Sequence, residues 1–272
     1  MRVGLFLHDN LNARLSGSMW ASAIRQPWDS PVANHGFMLI SHEGSLLGVA
    51  LAFYSARVID GQPRRFCNLG ALCVLPMARV HTFRLIRAAL RQPNLEFTDL
   101  SPSGSVVDLN SRLGFSRLHT STYLVPNIPR PRRRSLKLLW QHDDIEREIC
   151  KSERPNFIAH RTATAAHHLL LIDGDEQCYI IFRRDRRKSL PIFASILYVS
   201  NPELYRRAEG IVSTHLLRRH RIPLTLVESR ITRNVPRLGV RVVQSRTKMF
   251  KSSVLTEDQI DYLYSELMCV PW

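Results

Sequence analysis

Four closely set side chains, Arg79, His81, Thr82 and Arg84, are the residues of this chain best suited to hold a phosphate. They follow an apolar run, FCNLGALCVLP (66–76), and the last of them open an amphipathic one, HTFRLIRAALRQ (81–92). A strand-to-helix turn presents unpaired backbone amides and the positive end of the helix dipole, and basic side chains add charge-assisted contacts. A second group lies just downstream: Asp99 at the end of an apolar run, Ser103 in the SPSG loop, and Asn110 within VVDLNSRLGF. A carboxylate at the C-terminal end of a strand, facing a cleft, suits proton transfer. The same Asp99, ahead of Ser101-Pro102-Ser103-Gly104, also reads as a turn former, and both readings stand.

The elements needed to position these groups are legible in pattern. Residues 66–115 read as an apolar strand, a turn, a helix, a second strand, a polar loop and a second helix ending in Leu113-Gly114-Phe115. Leu85, Ile86, Ala89 and Leu90 give the first helix a core face, and Arg84, Arg87 and Arg91 a solvated one. An ordinary amphipathic helix holding no ligand is therefore the competing reading of the turn. The order of elements and the Leu-Gly-Phe triplet resemble the acetyl-CoA-binding half of the GNAT acyltransferase superfamily. That resemblance implies an α/β (α+β) fold, with a mixed, mostly antiparallel central sheet flanked by helices.

It also implies a site. In GNAT enzymes the pantetheine arm lies along a splayed strand, and the pyrophosphate rests on a turn of the form Gln/Arg-x-x-Gly-x-Gly/Ala. Carried onto this chain, the acetyl-CoA contacts are Leu72, Cys73 and Val74 on the strand and Arg79, Val80, His81, Thr82, Phe83 and Arg84 on the turn. Arg79 matches the leading position, whereas Thr82 and Arg84 stand where glycine, or glycine or alanine, belongs. Thr82 brings a hydroxyl and Arg84 a charge in their place. Acyl transfer to an amine needs a neutral amine, a stabilised oxyanion and a proton for the leaving thiolate. Backbone amides around Leu69–Cys73 would serve the oxyanion. Asn110 occupies the position where many GNAT enzymes carry a tyrosine acid, so Ser103, Tyr54, Tyr123 or water are the substitutes. Asp99, His81 and Glu43 are the candidate bases, with Asn68 and Tyr54 as candidate substrate contacts.

The order of elements recurs in the second half. A hairpin around His42-Glu43-Gly44 is matched by one around Asp173-Gly174, and FCNLGALCVLP by SLPIFASILYVSNP. Helices follow Pro76 and Pro202, and SRLGF is echoed by PRLGV. Pro76 precedes Gly114 by 38 residues and Pro202 precedes Gly239 by 37. Two tandem GNAT-like domains are expected: 1–126 with the acetyl-CoA site, a Pro/Arg-rich linker over 127–137, and a degenerate domain over 138–272. Glu203 stands where the second turn would meet a phosphate, so the second domain is expected to bind no cofactor. Helices are expected over Leu138–Ile149 and, from the Thr256/Gln259 capping box, over TEDQIDYLYSELM.

Composition sets the outer limits. The 272 residues are 44% hydrophobic and 8% aromatic, enough for a real core. No run approaches the roughly 18 apolar residues of a membrane span, and the N-terminus lacks a signal-peptide layout. A soluble, cytoplasmic protein without a membrane partner is expected. Five widely spaced cysteines contain no CxxC pair, which argues against a disulfide framework or zinc, and no metal is expected. The net charge of +15 favours an anionic partner, yet only five of the 38 basic residues are Lys, as an arginine-rich genome would write them. Arg130, Arg132, Arg133 and Arg134 in the linker read either as nucleic-acid contacts or as a solvated connector. The leading function is thus transfer of acetyl from acetyl-CoA to an amine-bearing acceptor. The alternatives are a non-catalytic GNAT-like protein binding nucleic acid, and an enzyme using a longer or tRNA-carried acyl donor. The sequence leaves the oligomeric state open.

Overall fold

The computed structural model describes residues 1–32, 34–130, 135–187, 190–243 and 245–272. The chain begins with α1 (Arg2–Asn10), α2 (Gly17–Ile24), β1 (Gly36–Ile40), β2 (Leu46–Ile59) and β3 (Gln62–Val74). A 3₁₀ turn (Pro76–His81) leads to α3 (Thr82–Leu90), β4 (Glu96–Asp99), α4 (Gly104–Arg112), β5 (Ser116–Arg117) and β6 (Thr122–Pro126). Next come β7 (Leu136–Leu139), α5 (His142–Glu148), α6 (Arg154–His160), β8 (His167–Asp173), β9 (Glu176–Arg187) and β10 (Leu190–Val199). The last stretch holds α7 (Pro202–His220), β11 (Leu224–Glu228), α8 (Ser229–Thr232), β12 (Val240–Arg241), β13 (Met249–Lys251), a second 3₁₀ turn (Glu257–Gln259) and α9 (Glu266–Cys269).

These elements form two compact units: 1–118 with 247–260 and 264–270, and 119–246 with 261–263 and 271–272. The first holds a sheet of order β1-β2-β3-β4-β13-β5, the second one of order β12-β6-β11-β10-β9-β8-β7. Both sheets are mixed. In each, three antiparallel strands are followed by a helix and a parallel fourth strand: β4 beside β3, β11 beside β10. In each, the strand beyond is antiparallel and comes from the other half of the sequence, β13 beside β4 and β6 beside β11. The units therefore do not follow a linear division at residue 126. Thr122–Pro126, expected to close the first domain, pairs residue by residue with Leu224–Glu228.

Local chemistry explains most of the elements. Asp60 and Gly61 have φ of 49° and 75°, the two left-handed residues of a type I′ turn, and they join β2 to β3 as one long hairpin. Helix α3 buries Leu85, Ile86 and Ala89 and exposes Arg84 and Arg87. Gly114, at φ 84°, ends α4 so that Phe115 N–H reaches the Asn110 carbonyl (3.0 Å) and the Phe115 ring enters the core. Helix α7 opens on Asn201, whose side chain accepts from Leu204 N–H (3.0 Å), followed by Pro202.

Three local expectations are revised. Leu138–Ile149 is not one helix: Leu136 and Leu138 are buried around an exposed Lys137, a strand alternation that pairs with β8, and α5 begins only at His142. The Thr256/Gln259 capping box forms, yet it starts a single 3₁₀ turn. Ile260, Tyr262, Leu263, Leu267 and Met268 beyond it are all buried, too broad an apolar surface for one helical stripe, and Tyr264 takes φ 57°. The Gly239 echo of Gly114 is not conformational, since Gly239 is absent from the positive-φ residues and packs against Pro236 and Tyr123. Of the linker arginines, Arg132, Arg133 and Arg134 lie outside the described residues. Arg130 packs on α7, where its Cδ would stand 2.6 Å from a Cβ at Gly210, and its N–H donates to Thr214 (3.0 Å).

Candidate active site

In the first unit β3 and β4 pair only through Phe66–Glu96, Cys67–Phe97 and Asn68–Thr98. Beyond Asn68, β3 gains an extra residue against β2, because Leu51 pairs with Ala71 and Ala52 with Leu69, which leaves Gly70 as a bulge. From Leu69 to Val74, β3 keeps β2 on one side and has no strand among the described residues on the other. The parting requires glycine. A Cβ at residue 70 would lie 2.4 Å from the Phe53 ring and 3.0 Å from Glu266 Cβ. The result is a row of backbone donors and acceptors along Leu69–Val74, with Leu72 and Val74 half-buried and Cys73 buried, leading straight into the basic turn.

That turn is tighter than an open phosphate loop. Pro76–His81 is 3₁₀, and the Thr82 N–H already donates to the Arg79 carbonyl. Its cations are nevertheless available: Arg79 and Arg84 are exposed, and their guanidinium groups make no hydrogen bond or ion pair among the described residues. His81 and Thr82 are half-buried at the start of α3, and Val80 and Phe83 are exposed.

Two polar clusters occupy opposite faces of the sheet where the strands part. On the face carrying Cys67 and Phe97, packed by α4, Asp99 is buried and accepts a hydrogen bond from Asn110 Nδ2 (2.8 Å). Burial pushes the Asp99 carboxyl up to about 7, against the opposing pull of Asn110 and of the Ser101 backbone. Asn110 is itself fully buried, and its Oδ1 has no hydrogen-bond partner among the described residues. On the other face Asn68 donates to Thr98 Oγ1 (3.0 Å) and accepts from the Glu266 N–H (3.0 Å). Glu266 is fully buried, and its carboxylate accepts from the Ser101 hydroxyl (2.6 Å).

No protein family's sequence profile matches the chain, and no curated protein matches it in sequence. Solved structures do. A GCN5-related N-acetyltransferase from Anabaena variabilis superposes with a TM-score of 0.60 at 17% identity, over 92% of this chain and 69% of that one. A probable N-acyltransferase from Enterococcus faecalis gives 0.56 at 10% identity, over 91% and 69%. Saccharomyces cerevisiae N-myristoyltransferase with bound myristoyl-CoA gives 0.53 at 10% identity, over 98% and 81%.

The chain has the GNAT fold.

Within that fold the expected site residues separate into three groups. Leu72, Cys73, Val74 and the turn residues Arg79 to Arg84 stand in sequence along the parted strand and the start of α3. Asp99 and Asn110 meet as a buried pair. The others lie elsewhere. Ser103 is exposed at the N-cap of α4, where its carbonyl receives Val106 and Val107 N–H, and Glu43 is exposed on a hairpin turn. Tyr54 is a core residue: its hydroxyl bonds Gln92, and burial together with Cys67 raises its pKa. Tyr123 lies on β6 in the second unit. Asn68 is fully engaged in joining β3, β4 and the Glu266 backbone. Glu266 was missed because a short buried segment 198 residues from Asn68 shares no local pattern with it, and Ser101 was read only as part of the turn after Asp99. The acidic residue in the apolar run YLYSELM was the only signal available.

Among the described residues no helix is long and apolar enough to cross a membrane, and no three His, Cys, Asp or Glu side chains are placed to hold a metal ion.

Proposed function

We propose that the chain is an acyl-CoA-dependent N-acyltransferase whose first unit binds the CoA thioester, with acetyl-CoA as the donor and a primary amine as the acceptor. The observation that carries this reading is the parting of β3 from β4 at Gly70, which frees the Leu69–Val74 backbone immediately ahead of a turn bearing two unpaired arginines. The free edge supports a pantetheine arm by strand-like hydrogen bonds, and Arg79 and Arg84 support its phosphates. The unpartnered Asn110 Oδ1 fits an amide or thiol donor entering beside Asp99. The corresponding strand orders of the two sheets support a duplicated origin, and Glu203 at the second turn supports a second unit that does not hold the donor.

In the reaction the amine nitrogen attacks the thioester carbonyl and the C–S bond breaks, with amides of Leu69–Cys73 facing the oxyanion. Asn110 cannot supply the thiolate's proton, but Asp99, titrating near 7 and held by Asn110, can. On the opposite face Glu266 would take the proton of an incoming ammonium group, and the proton the nitrogen sheds as the amide forms replaces the one Asp99 gives to the thiolate. Titration calorimetry with acetyl-CoA tests the donor site. The wild type should bind, and the Arg79→Ala, Arg84→Ala pair should lose roughly 3 kcal/mol, about a hundredfold. No binding of acetyl-CoA or longer acyl-CoAs by the wild type would overturn the proposal.

A further inference from the structure

The second unit holds a cavity of about 340 Å³ that takes no part in the reaction above. It sits where β8 begins, against β9, and is lined by Trp140, Phe182 and the imidazoles of His142, His167, His168 and His220, with Arg161 and Arg219 beside them. The rings are organised. His167 stacks on Phe182 (centroids 5.0 Å, 22°), His220 meets His167 edge-on at 5.3 Å, and His142 meets His168 edge-on at 5.3 Å. Behind them His215 contacts Trp140 at 5.0 Å and His220 at 5.2 Å.

Two features set this cavity apart from packing debris. His168 is 3% exposed, and its Nδ1 lies 2.7 Å from the Tyr179 hydroxyl. The His160 backbone also holds its ring, which fixes the imidazole at the cavity wall. Moreover, His168, His215 and His220 carry little charge at neutral pH. Burial, reinforced by neighbouring His142, His160 and His167 and partly offset by the His160 carbonyl, pushes His168 down to about 3. Burial also pushes His215 and His220 to about 4, with Arg219 pressing in the same direction on both. At neutral pH His168 and His220 therefore present flat, weakly polar rings, with the arginine charge beside them. Arg161 is held by Glu146 (2.9 Å), whereas Arg219 has no partner among the described residues.

We propose that this cavity binds a small aromatic or heteroaromatic carboxylate, its ring among Trp140, Phe182 and His167 and its carboxylate on Arg219. Flat walls select a flat ligand, the volume admits one of one or two rings, and a single free guanidinium selects one negative charge.

The test uses the full chain and 2-naphthoate as probe, followed by ligand-observed NMR and by quenching of Trp140 fluorescence. Saturable binding is expected, weakened about tenfold by Arg219→Gln and about tenfold for uncharged 2-naphthamide, since one charge-assisted contact is worth about 1.4 kcal/mol. Ala166→Phe, which fills the cavity from its wall, should abolish binding, and acetyl-CoA should not compete. Absence of saturable binding at millimolar probe would overturn the inference, as would binding indifferent to both substitutions. Displacement by inorganic phosphate as effective as by naphthoate would also overturn it, reducing the site to a simple anion contact.

Discussion

The Asp99→Asn variant offers the sharpest check on the buried pair beneath the parted strands. Asp99 has an ordinary carboxyl value of 3.8 that burial pushes up to about 7. A carboxyl raised on folding binds its proton more tightly in the native state. Its contribution to stability is therefore fully present below pH 3.8 and is lost as pH rises through 7. Each pKa unit corresponds to about 1.4 kcal/mol, so the whole shift amounts to about 4 kcal/mol, of which about 3 falls between pH 5 and 8. An asparagine at 99 keeps an oxygen for the Asn110 amide to donate to (2.8 Å in the native pair) and carries no charge to bury. Urea denaturation of both proteins from pH 5 to 8 should show the variant gaining about 3 kcal/mol on the wild type across that interval. A difference that stays constant with pH would refute the reasoning, because it would mean that Asp99 titrates alike in the folded and unfolded chains.

Other expectations follow from the same geometry. Asp99→Asn should lower the rate of acyl transfer by about 10²-fold or more with KM for the donor little changed, read by steady-state thiol release. Gly70→Ala should cost about 1–3 kcal/mol in denaturation experiments, since its Cβ would meet Phe53 at 2.4 Å. Tyr54→Phe removes the bond to Gln92 (2.8 Å) and should cost about 1 kcal/mol of stability while leaving the transfer rate within about twofold, as befits a core residue. Ser101→Ala should lower transfer at saturating donor while acetyl-CoA binding by calorimetry stays intact, because it strips Glu266 of its 2.6 Å hydrogen bond on the acceptor face.

What the sequence disclosed and what it withheld divide along one physical line. Hairpins, the α3 stripe, the Leu-Gly-Phe helix stop and the strand exit at Pro76 are local, governed by turn chemistry and by periods of 2 and 3.6, and they could be read. The Asp60-Gly61 turn was equally local, yet β3 was started late because its first residues, Gln62–Arg65, are polar and largely exposed. Pairing across the chain could not be read. Nothing in Thr122–Pro126 says that it joins β11, and nothing in Met249–Lys251 says that it joins β4, because strand partners so far apart in the chain leave no mark in either segment. The site shows the same division. Asp99 and Asn110 sit 11 residues apart on adjacent elements and were both singled out. Glu266, which reaches the site through a distant buried segment, escaped notice.

Hydrogen–deuterium exchange with and without acetyl-CoA tests the central claim most directly, because it reads the backbone said to hold the donor. The account predicts that bound acetyl-CoA slows exchange of amides over 69–74 and at the start of α3, and leaves those of β8 and α7 in the second unit unchanged. Binding that protects other segments and leaves 69–84 exchanging as before would contradict it.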